Sequence, residues 1–347
     1  MEVKQQTPVS QGSAAKAPEV KPSLLTVSPS PHARRGMTTA SVMKDVFIAL
    51  LPASIWGAYA FGWYAAVILL VSVFSAVLFE MLTQIILKRT VTIADCSAAV
   101  TGLLLGLNLP STVPLYVPVV GSAFAIIVVK QIFGGIGKNI LNPALAARVF
   151  LMMAWSGKMS SFTGFHDAVA GATPLASVNA GALPANVTLL DLFLGRTGGC
   201  IGEVSTLMLL VGGIYLLVRR VIRWHIPVAM LGTVAILTFA FPILPDGVSA
   251  DLLTRATYTA ASLCSGGLML GAIFMATDYV TSPVTNWGRI IYGVGCGALV
   301  VFFRYFSGYP EGVSFAILIM NTLVWYLDMA TKPRVFGKAR REKKSKA

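Results

Sequence analysis

Hydrophobic residues run along this chain in long blocks that alternate with short polar connections. Such blocks are typical of helices that cross a lipid bilayer, because a helix satisfies its own backbone polar groups where no water is present. The pattern therefore predicts an all-α membrane protein with about ten transmembrane helices. The ten segments are Val42–Ala60, Ala65–Leu87, Cys96–Leu109, Tyr116–Phe133, Pro143–Trp155, Val204–Val218, Trp224–Phe241, Ala260–Ala276, Ile290–Phe306 and Phe315–Met329.

Several of these segments are shorter than the ~20 residues that a straight span needs. Cys96–Leu109 and Ala260–Ala276 are also interrupted by glycine. We expect both to form broken or re-entrant helices, whose freed backbone groups must be shielded from lipid by protein or by a cavity.

One short motif occurs in both halves of the chain. Gly102–Gly106 reads Gly-Leu-Leu-Leu-Gly in the third segment, and Gly267–Gly271 reads Gly-Leu-Met-Leu-Gly in the eighth. The match predicts two repeats of five segments, at about 42–155 and 204–331, and an odd number of spans gives the two repeats opposite orientations. The alternative is that Gly-x-x-x-Gly only permits close packing of helices.

The distribution of charge predicts an orientation for this membrane domain, residues 39–331. The chain is 56% hydrophobic and 12% charged, with a formal net charge of +13. The positive-inside rule then places both termini in the cytoplasm and the connection 156–203 outside. An anionic lipid leaflet is the expected partner, whereas nucleic acid is not expected, since no soluble basic face is visible. The basic residues near the outer side are Lys158, Arg196, Arg255 and Arg304.

Two tails flank the membrane domain. Residues 1–38 are rich in Ser, Pro, Ala, Gln and Lys, so they cannot bury enough apolar surface to order, and we expect a disordered cytoplasmic tail. Residues 332–347 predict a basic cytoplasmic tail near the lipid headgroups.

The outer connection contains a motif with a candidate acceptor hydroxyl. Asp167 is followed, after three small or apolar residues, by Gly171, Ala172, Thr173 and Pro174. Gly171 and Ala172 would let the active site of another enzyme close around the backbone, so Thr173 could be modified on an exposed, flexible segment. The alternative is an ordinary turn, in which Pro174 fixes φ and keeps Thr173 extended.

A second polar cluster follows the eighth segment at its predicted cytoplasmic end. Polar residues within a membrane domain are costly and usually face protein or water, so this cluster and two asparagines near the third and fifth segments are candidates for function. Helix capping is the competing explanation. The residues are Thr277, Asp278, Thr281, Ser282, Asn108 and Asn142.

These motifs resemble the RnfD/NqrB family of membrane redox subunits. The stretch Asp167–Thr173 is similar to the Asp-x-x-Ser/Thr-Gly-Ala-Thr signature of that family, although Ala168 and Ala170 stand where glycine and a hydroxyl residue are usual. The sequence Gly-Ala-Thr-Pro-Leu-Ala at Gly171–Ala176 favours the RnfD branch of this family. The resemblance extends from about Arg34 to the C-terminus. The other stretches that are similar to the family are Gly106–Pro110, Lys138–Pro143 and Ala276–Pro283.

The resemblance implies specific cofactors. FMN would be bound covalently by a phosphoester to Thr173, attached by a flavin transferase that recognises Asp167, Gly171 and Ala172. The cluster from Thr277 to Ser282, with Asn108 and Asn142, would contribute to a second, noncovalent flavin such as riboflavin or to the ion path.

The resemblance also implies a setting. The chain would be a subunit of a complex in the bacterial cytoplasmic membrane that relays electrons between ferredoxin and NAD and moves Na⁺ or H⁺. Its partners would be Rnf subunits of the C, G, A, E and B types. Two alternatives are an NqrB-like subunit of a Na⁺-translocating NADH:quinone reductase, and a non-redox transporter of small solutes on the same frame.

The remaining motifs predict no metal site and no nucleotide hydrolysis. Cys96, Cys200, Cys264 and Cys296 lack any Cys-x-x-Cys spacing, so neither an iron–sulfur nor a zinc site is expected. A Walker loop and a Rossmann fingerprint are both missing from the sequence, and we therefore do not expect this chain to bind NAD directly.

Overall fold

The computed structural model describes part of the chain, namely residues 38–162, 164, 173–179, 187–244, 251–307 and 312–333. The predicted tails lie outside the described residues apart from Thr38, Lys332 and Pro333. Three residues of the predicted flavin motif also lie outside them: Asp167, Gly171 and Ala172.

The regular elements within the described residues are helices, apart from one isolated antiparallel bridge between Pro110 and Cys200. The helices are α1 (Thr39–Phe61), α2 (Trp63–Ile86), α3 (Ser97–Leu107), α4 (Tyr116–Ala123), α5 (Pro143–Ala154), α6 (Ser156–Met159), α7 (Pro174–Asn179), α8 (Leu189–Leu194), α9 (Thr206–Val218), α10 (His225–Ala240), α11 (Leu252–Cys264), α12 (Leu268–Leu270), α13 (Asn286–Phe306) and α14 (Val313–Thr331). Two of them continue in π form, α4 through Phe124–Gln131 and α12 through Gly271–Met275, and a 3₁₀ turn, Ile93–Asp95, precedes α3.

Four of these helices, α1, α2, α13 and α14, are long and apolar enough to cross a membrane. The bent pair formed by α11 and α12 makes a fifth if it is counted as one span. The shorter apolar helices are α3, α4 with its continuation, α5, α9 and α10. Each of the ten predicted segments thus contains an apolar helix, and the chain is a multi-pass membrane protein. A crossing by each short helix stays a prediction.

A bend of 63° separates α11 from α12. The first helix ends at Cys264, and Gly266 adopts a φ of +71°, a left-handed conformation that favours glycine. The break predicted within Ala260–Ala276 is therefore confirmed, and it lies between the two helical parts of that segment.

Two details of the predicted segments are wrong. α11 begins at Leu252 and not at Ala260, because Asp251 caps it and its first turns carry polar residues that hydropathy does not mark. The segment Cys96–Leu109 holds a short continuous helix, so a break within it is wrong, whereas a re-entrant course stays a prediction. Its Gly102 serves close packing instead, since a Cβ there would lie 2.6 Å from a carbonyl oxygen of α2.

Helices that hold the same place in the two predicted repeats contact each other. The first helices, α1 and α9, pack together, and so do the last helices, α5 and α14. The α1–α9 contact is close, because a Cβ on Gly212 would overlap the carbonyl oxygen of Ala49. One cluster of buried apolar side chains includes residues from both halves of the chain.

Candidate functional site

Thr173 lies in the wall of a small cavity between the segment before α9 and the break between α11 and α12. We call it the outer cavity, after the orientation predicted for the membrane domain. Thr173 Oγ1 accepts a hydrogen bond from the backbone N–H of Ala176 at 3.3 Å, so Thr173 caps α7. Only 7% of Thr173 is exposed. The expectation that this hydroxyl is exposed is therefore wrong for this conformation.

Apolar contacts of α7 explain why Thr173 is buried. Leu175 and Val178 are both buried, and α7 packs against α11. Leu175 occupies space that Gly266 leaves free, since a Cβ on Gly266 would lie 2.7 Å from Leu175 Cδ2. The packing of α7 on α11 therefore covers Thr173 in this structure.

The neighbouring helix α8 is fixed by its own cap. Thr188 and Asp191 form a reciprocal capping box, in which the Asp191 carboxylate accepts hydrogen bonds from Thr188 Oγ1 at 2.6 Å and Thr188 N at 3.0 Å. These hydrogen bonds lower the pKa of the Asp191 carboxyl. Leu192 of the same helix is buried and lines the outer cavity.

The outer cavity is small and polar. Its volume is about 10 Å³, which is room for roughly one water molecule. The side chain of Ser265 lines it and is 2% exposed, and its hydroxyl has no hydrogen-bond partner within the described part of the chain. The other polar side chains of the wall are those of Thr173, Thr197, Glu203 and Cys264.

A buried guanidinium stands beside this cavity. Arg304 of α13 is 4% exposed, and it donates to the carbonyl oxygens of Ser262 at 2.6 Å and Ser265 at 3.0 Å. These carbonyls belong to the C-terminal end of α11, where a helix leaves acceptors without internal partners. Among the described residues, no carboxylate lies within 4.0 Å of Arg304, and its Nε has no partner.

Glu203 of the outer cavity forms a buried ion pair with Arg148 of α5. The distance from Arg148 Nη2 to Glu203 Oε1 is 3.1 Å, and each side chain is 3% exposed. Arg148 Nη1 also donates to Asn108 Oδ1 at 2.6 Å. Gly267 lies against this pair, because a Cβ there would be 2.6 Å from Glu203 Oε1.

Backbone pairing places Glu203 at this point. The segment before α9 runs across the C-terminal end of α3, where Ile201 N donates to Leu109 O at 3.0 Å and Gly202 N donates to Leu107 O at 2.8 Å. The side chain of the next residue, Glu203, is thereby held in the interior beside Arg148.

A second cavity, which we call the inner cavity, lies at the other end of α9, beside Leu216 and Val221. Its volume is about 90 Å³. It is surrounded by the start of α3, the start of α5, the π-helix after α4 and the loop after α12. Its polar lining consists of Ser97, Thr101, Lys130, Asn139, Asn142, Thr277 and Asp278.

Four of the six residues predicted for a second flavin or an ion path meet at or beside the inner cavity. Thr277, Asp278 and Asn142 line it, and Thr281 Oγ1 donates to Asp278 Oδ2 at 3.2 Å. Burial raises the pKa of the Asp278 carboxyl, against the opposing effect of its hydrogen bonds. Ser282 is half-buried and does not belong to the lining.

Met275 connects the two asparagines. Asn108 Nδ2 approaches Met275 Sδ at 3.7 Å, and Asn142 Nδ2 donates to Met275 O at 3.3 Å. Asn142 also caps α5, because its Oδ1 accepts backbone N–H groups of the first turn at 3.1 and 3.4 Å. A continuous series of polar groups thus runs between the cavities, through Glu203, Arg148, Asn108, Met275 and Asn142.

A second buried ion pair borders the inner cavity. Lys130 Nζ lies 2.8 Å from Glu80 Oε1 and donates to Ser97 Oγ at 2.7 Å. Glu80 also accepts from Gln131 at 3.0 Å and from Gln84 at 3.3 Å. The π-helical turn allows the consecutive residues Lys130 and Gln131 to face the same carboxylate. The charges of this pair are therefore surrounded by hydrogen-bond partners.

Sequence reasoning missed three residues at or beside the outer cavity. Arg304 carries a signal, since a charge inside an apolar segment is costly, but its position near the predicted outer side already explains a basic residue there. Glu203 lies in a polar connection, and Ser265 is a small hydroxyl residue within the eighth segment, so neither carries such a signal. Only the fold brings them to Thr173.

Apolar helices of spanning length, with buried ion pairs and small polar cavities between them, define a polytopic membrane protein with a polar interior. A model of the NQR2, RnfD, RnfE family matches residues 26–337. The chain belongs to this family.

Three relatives illustrate the similarity, each named as the D-type component of its complex. The chain is 46% identical over 327 residues to the D-type component of the Na⁺-translocating ferredoxin:NAD⁺ oxidoreductase complex of Acetobacterium woodii. The match covers 93% of this chain and 98% of that protein. The chain is 39% identical over 337 residues to that of the proton-translocating ferredoxin:NAD⁺ oxidoreductase complex of Clostridium ljungdahlii, covering 93% and 99%. That of the ion-translocating oxidoreductase complex of Stutzerimonas stutzeri is also 39% identical over 337 residues, covering 87% and 93%.

Proposed function

We propose that this chain is the membrane flavoprotein subunit of an ion-translocating ferredoxin:NAD oxidoreductase complex, the RnfD subunit, and carries FMN through a phosphoester on Thr173. The observation that carries this proposal is the position of Thr173 at a cavity that has an adjacent buried cation and a buried hydroxyl with no partner in the described part of the chain. Membership of the family and the names of the three relatives support the redox and ion-translocating role.

The partners follow from that role. The chain would assemble with Rnf subunits of the C, G, A, E and B types, and a flavin transferase would attach the FMN. As a relay subunit it would not oxidise NADH or ferredoxin itself. The NqrB-like alternative belongs to the same family, but the three relatives described above are all named as D-type components, which favours the RnfD assignment.

The residues at the outer cavity fit the phosphate end of FMN. Thr173 supplies the oxygen of the ester, and the hydroxyl of Ser265, which no group of the described residues engages, is available to an anion. A free volume of about 10 Å³ admits a phosphoryl oxygen and not an isoalloxazine ring, so the ring would lie outside this cavity. When bound, FMN supplies reversible electron transfer, and the protein fixes its position and surroundings.

The contacts between the two halves support two inverted repeats of five segments. A two-fold axis relating the repeats would bring equivalent helices together, as α1 packs on α9 and α5 on α14. With both termini in the cytoplasm of a bacterium, this arrangement would place Thr173 at the extracytoplasmic face of the cytoplasmic membrane.

The inner cavity suits an ion path better than a second flavin. Its 90 Å³ is well below the ~300–1,000 Å³ of most small-molecule sites. Asp278, Thr277 and Asn142 offer the oxygen ligands that a hydrated cation would exchange for water. One relative is named for Na⁺ and another for protons, so similarity does not choose between these ions.

In-gel flavin fluorescence under denaturing conditions tests the proposal. The full chain, expressed with an active flavin transferase, should give a fluorescent band that Thr173→Ala abolishes and Thr173→Ser retains. Thr188→Ala is the matched control, because it removes another threonine cap from the same connection and should leave the band unchanged.

A dark wild-type band, with the transferase active on a control protein, would overturn the flavoprotein assignment. The favoured hypothesis would then be the non-redox transporter, which uses the same frame without a redox group. Copurified subunits separate the RnfD assignment from the NqrB-like one.

A further inference from the structure

We propose that Ser265 and Arg304 bind the phosphate group that links FMN to Thr173, and so fasten α7 to the break between α11 and α12. This inference rests on the proposed flavin at Thr173. It assigns the anion-binding residues of that site.

The hydroxyl of Ser265 is the first observation. The residue is 98% buried, as its exposed fraction is 2%, and its Oγ has no hydrogen-bond partner among the described residues. Burying a hydroxyl without a partner is unfavourable, because its hydrogen bonds to water are lost and not replaced. Ser265 and Thr173 line the same small cavity, so an oxygen of a phosphate attached to Thr173 would be a suitable acceptor for this hydroxyl.

The charge of Arg304 is the second observation. Its Nη1 and Nη2 donate to carbonyl oxygens, which satisfy hydrogen bonds but carry no net negative charge. No carboxylate lies within 4.0 Å of it within the described residues. A buried, unneutralised cation is costly, whereas the phosphodiester of a flavinyl threonine carries a negative charge. Arg304 is also close to the cavity, since a Cβ on Gly266 would lie 3.4 Å from its Nη2.

The carboxylate of Glu203 lines the same cavity and would repel a phosphate. Arg148 neutralises it at 3.1 Å within a buried pair. Among the described residues, the local charges are therefore those of the Arg148–Glu203 pair, which cancel, and that of Arg304, whose direct partners are carbonyl oxygens and which Glu203 attracts only at longer range. The described part of the site is thus net positive for an incoming anion.

A purely structural explanation is available for each residue. Arg304 could serve only to cap the last carbonyls of α11, and the Ser265 hydroxyl could meet a water molecule. Under that explanation neither residue responds to the flavin. The two explanations differ in whether attaching the flavin stabilises α7 in its docked position.

The experiment compares the melting temperature of the full-length chain produced with and without the flavin transferase, in wild type and variants. We expect flavinylation to raise the Tm of the wild type, and Ser265→Ala to remove most of that increase. Ser314→Ala is the matched control, because Ser314 is another buried serine whose hydroxyl has no partner among the described residues and which does not line the outer cavity. It should retain the increase.

The ³¹P resonance of the ester supplies a second readout. Its chemical shift should differ between native and denatured wild type, and Ser265→Ala and Arg304→Gln should both reduce the difference. Because each variant is compared with and without flavin, a change in basal stability cancels. If Arg304→Gln does not fold, the comparison of Ser265→Ala with Ser314→Ala still decides the outcome.

Two outcomes overturn the inference, and they are distinguishable. An equal flavin-dependent increase in wild type and Ser265→Ala would mean that the phosphate is held elsewhere, and a lower Tm of Ser265→Ala both with and without flavin would then assign the hydroxyl to water or to a lipid phosphate. Absence of flavin from the wild type, with the transferase active on a control, would overturn the proposed function itself.

Discussion

The two cavities of this protein differ in how their charges are compensated. At the inner cavity, the Lys130–Glu80 pair is surrounded by hydrogen-bond partners from three elements. At the outer cavity, Arg304 has only carbonyl partners, and the Ser265 hydroxyl has none among the described residues. Asp278 also lines the inner cavity, and it has no cationic side chain within 4.0 Å among the described residues. The inner cavity therefore retains an unpaired carboxyl, which suits a cation, whereas the outer cavity lies beside an unneutralised guanidinium, which suits an anion.

The largest effect is expected where the two cavities are joined, at the Arg148–Glu203 pair. Removing one partner leaves a buried charge without compensation, so Arg148→Met or Glu203→Leu alone should destabilise the protein by about 3–5 kcal/mol. The double variant should recover much of that loss, because it leaves neither charge behind. Unfolding of the purified chain in mixed micelles by added SDS measures all three.

A direct pairing would be contradicted if the two single variants lost equal stability and the loss in the double variant were the sum of the two. The two cavities would then not be connected by a series of polar groups, because that series requires Arg148 to contact both Glu203 and Asn108.

The next effect is expected at Gly267, which lies against the same pair. A Cβ at this position would lie 2.6 Å from Glu203 Oε1 and 3.4 Å from Arg148 Nη1, so Gly267→Ala should cost about 1–3 kcal/mol through overpacking. Gly232 of α10 is the control, because a Cβ there meets no atom within 4 Å, and Gly232→Ala should be neutral or stabilising by up to about 1 kcal/mol.

Similar melting temperatures for the two alanine variants would show that the ion pair moves aside at little cost. The outer cavity would then be less rigid than its packing indicates, and the contrast with the inner cavity would weaken.

The sequence predicts the helices of this protein better than its polar contacts. Each helix is marked by a local run of apolar residues that can be recognised without its neighbours. The break within Ala260–Ala276 is therefore confirmed, although the start of α11 is missed. The contacts Arg148–Glu203 and Arg304–Ser262 join residues 55 and 42 positions apart. Such pairs are set by helix packing, and a single sequence has no local signal for them. Asn142 and Asp278 are exceptions, because a polar residue at a helix end is visible locally.

A smaller effect is expected at Asn142, which caps α5 beside the inner cavity. Asn142→Ala removes the cap and the hydrogen bond to Met275 O, and should cost about 1–2 kcal/mol. Asn142→Asp keeps the capping oxygen but cannot donate to Met275 O, so it should lose only part of this stability. If both variants are equally destabilised, the bond to Met275 accounts for the effect and the cap does not.

The smallest effect concerns two carboxyls with opposite pKa shifts, Asp191 of α8, next to the cavity-lining Leu192, and Asp278 of the inner cavity. The hydrogen bonds from Thr188 lower the pKa of Asp191 below its ordinary value of 3.8, whereas burial raises the pKa of Asp278 above it. A carboxyl with a lowered pKa adds stability above the unfolded pKa and loses it as the pH falls through the folded pKa. Asp191→Asn should therefore lower the Tm slightly at neutral pH, and the difference from wild type should vanish in acid.

For Asp278 the sign is reversed, because its ionised form is the disfavoured one in the folded protein. Ionisation of a buried carboxyl weakens the fold as the pH rises through the unfolded pKa, so Asp278→Asn should gain stability relative to wild type at neutral pH and lose that advantage in acid. Melting temperatures of both variants and wild type across the acid range, at constant ionic strength, measure the two differences. Differences of the same sign would mean that the folded protein stabilises the ionised form of Asp278, as it does that of Asp191, and would contradict burial as the dominant influence on the Asp278 carboxyl.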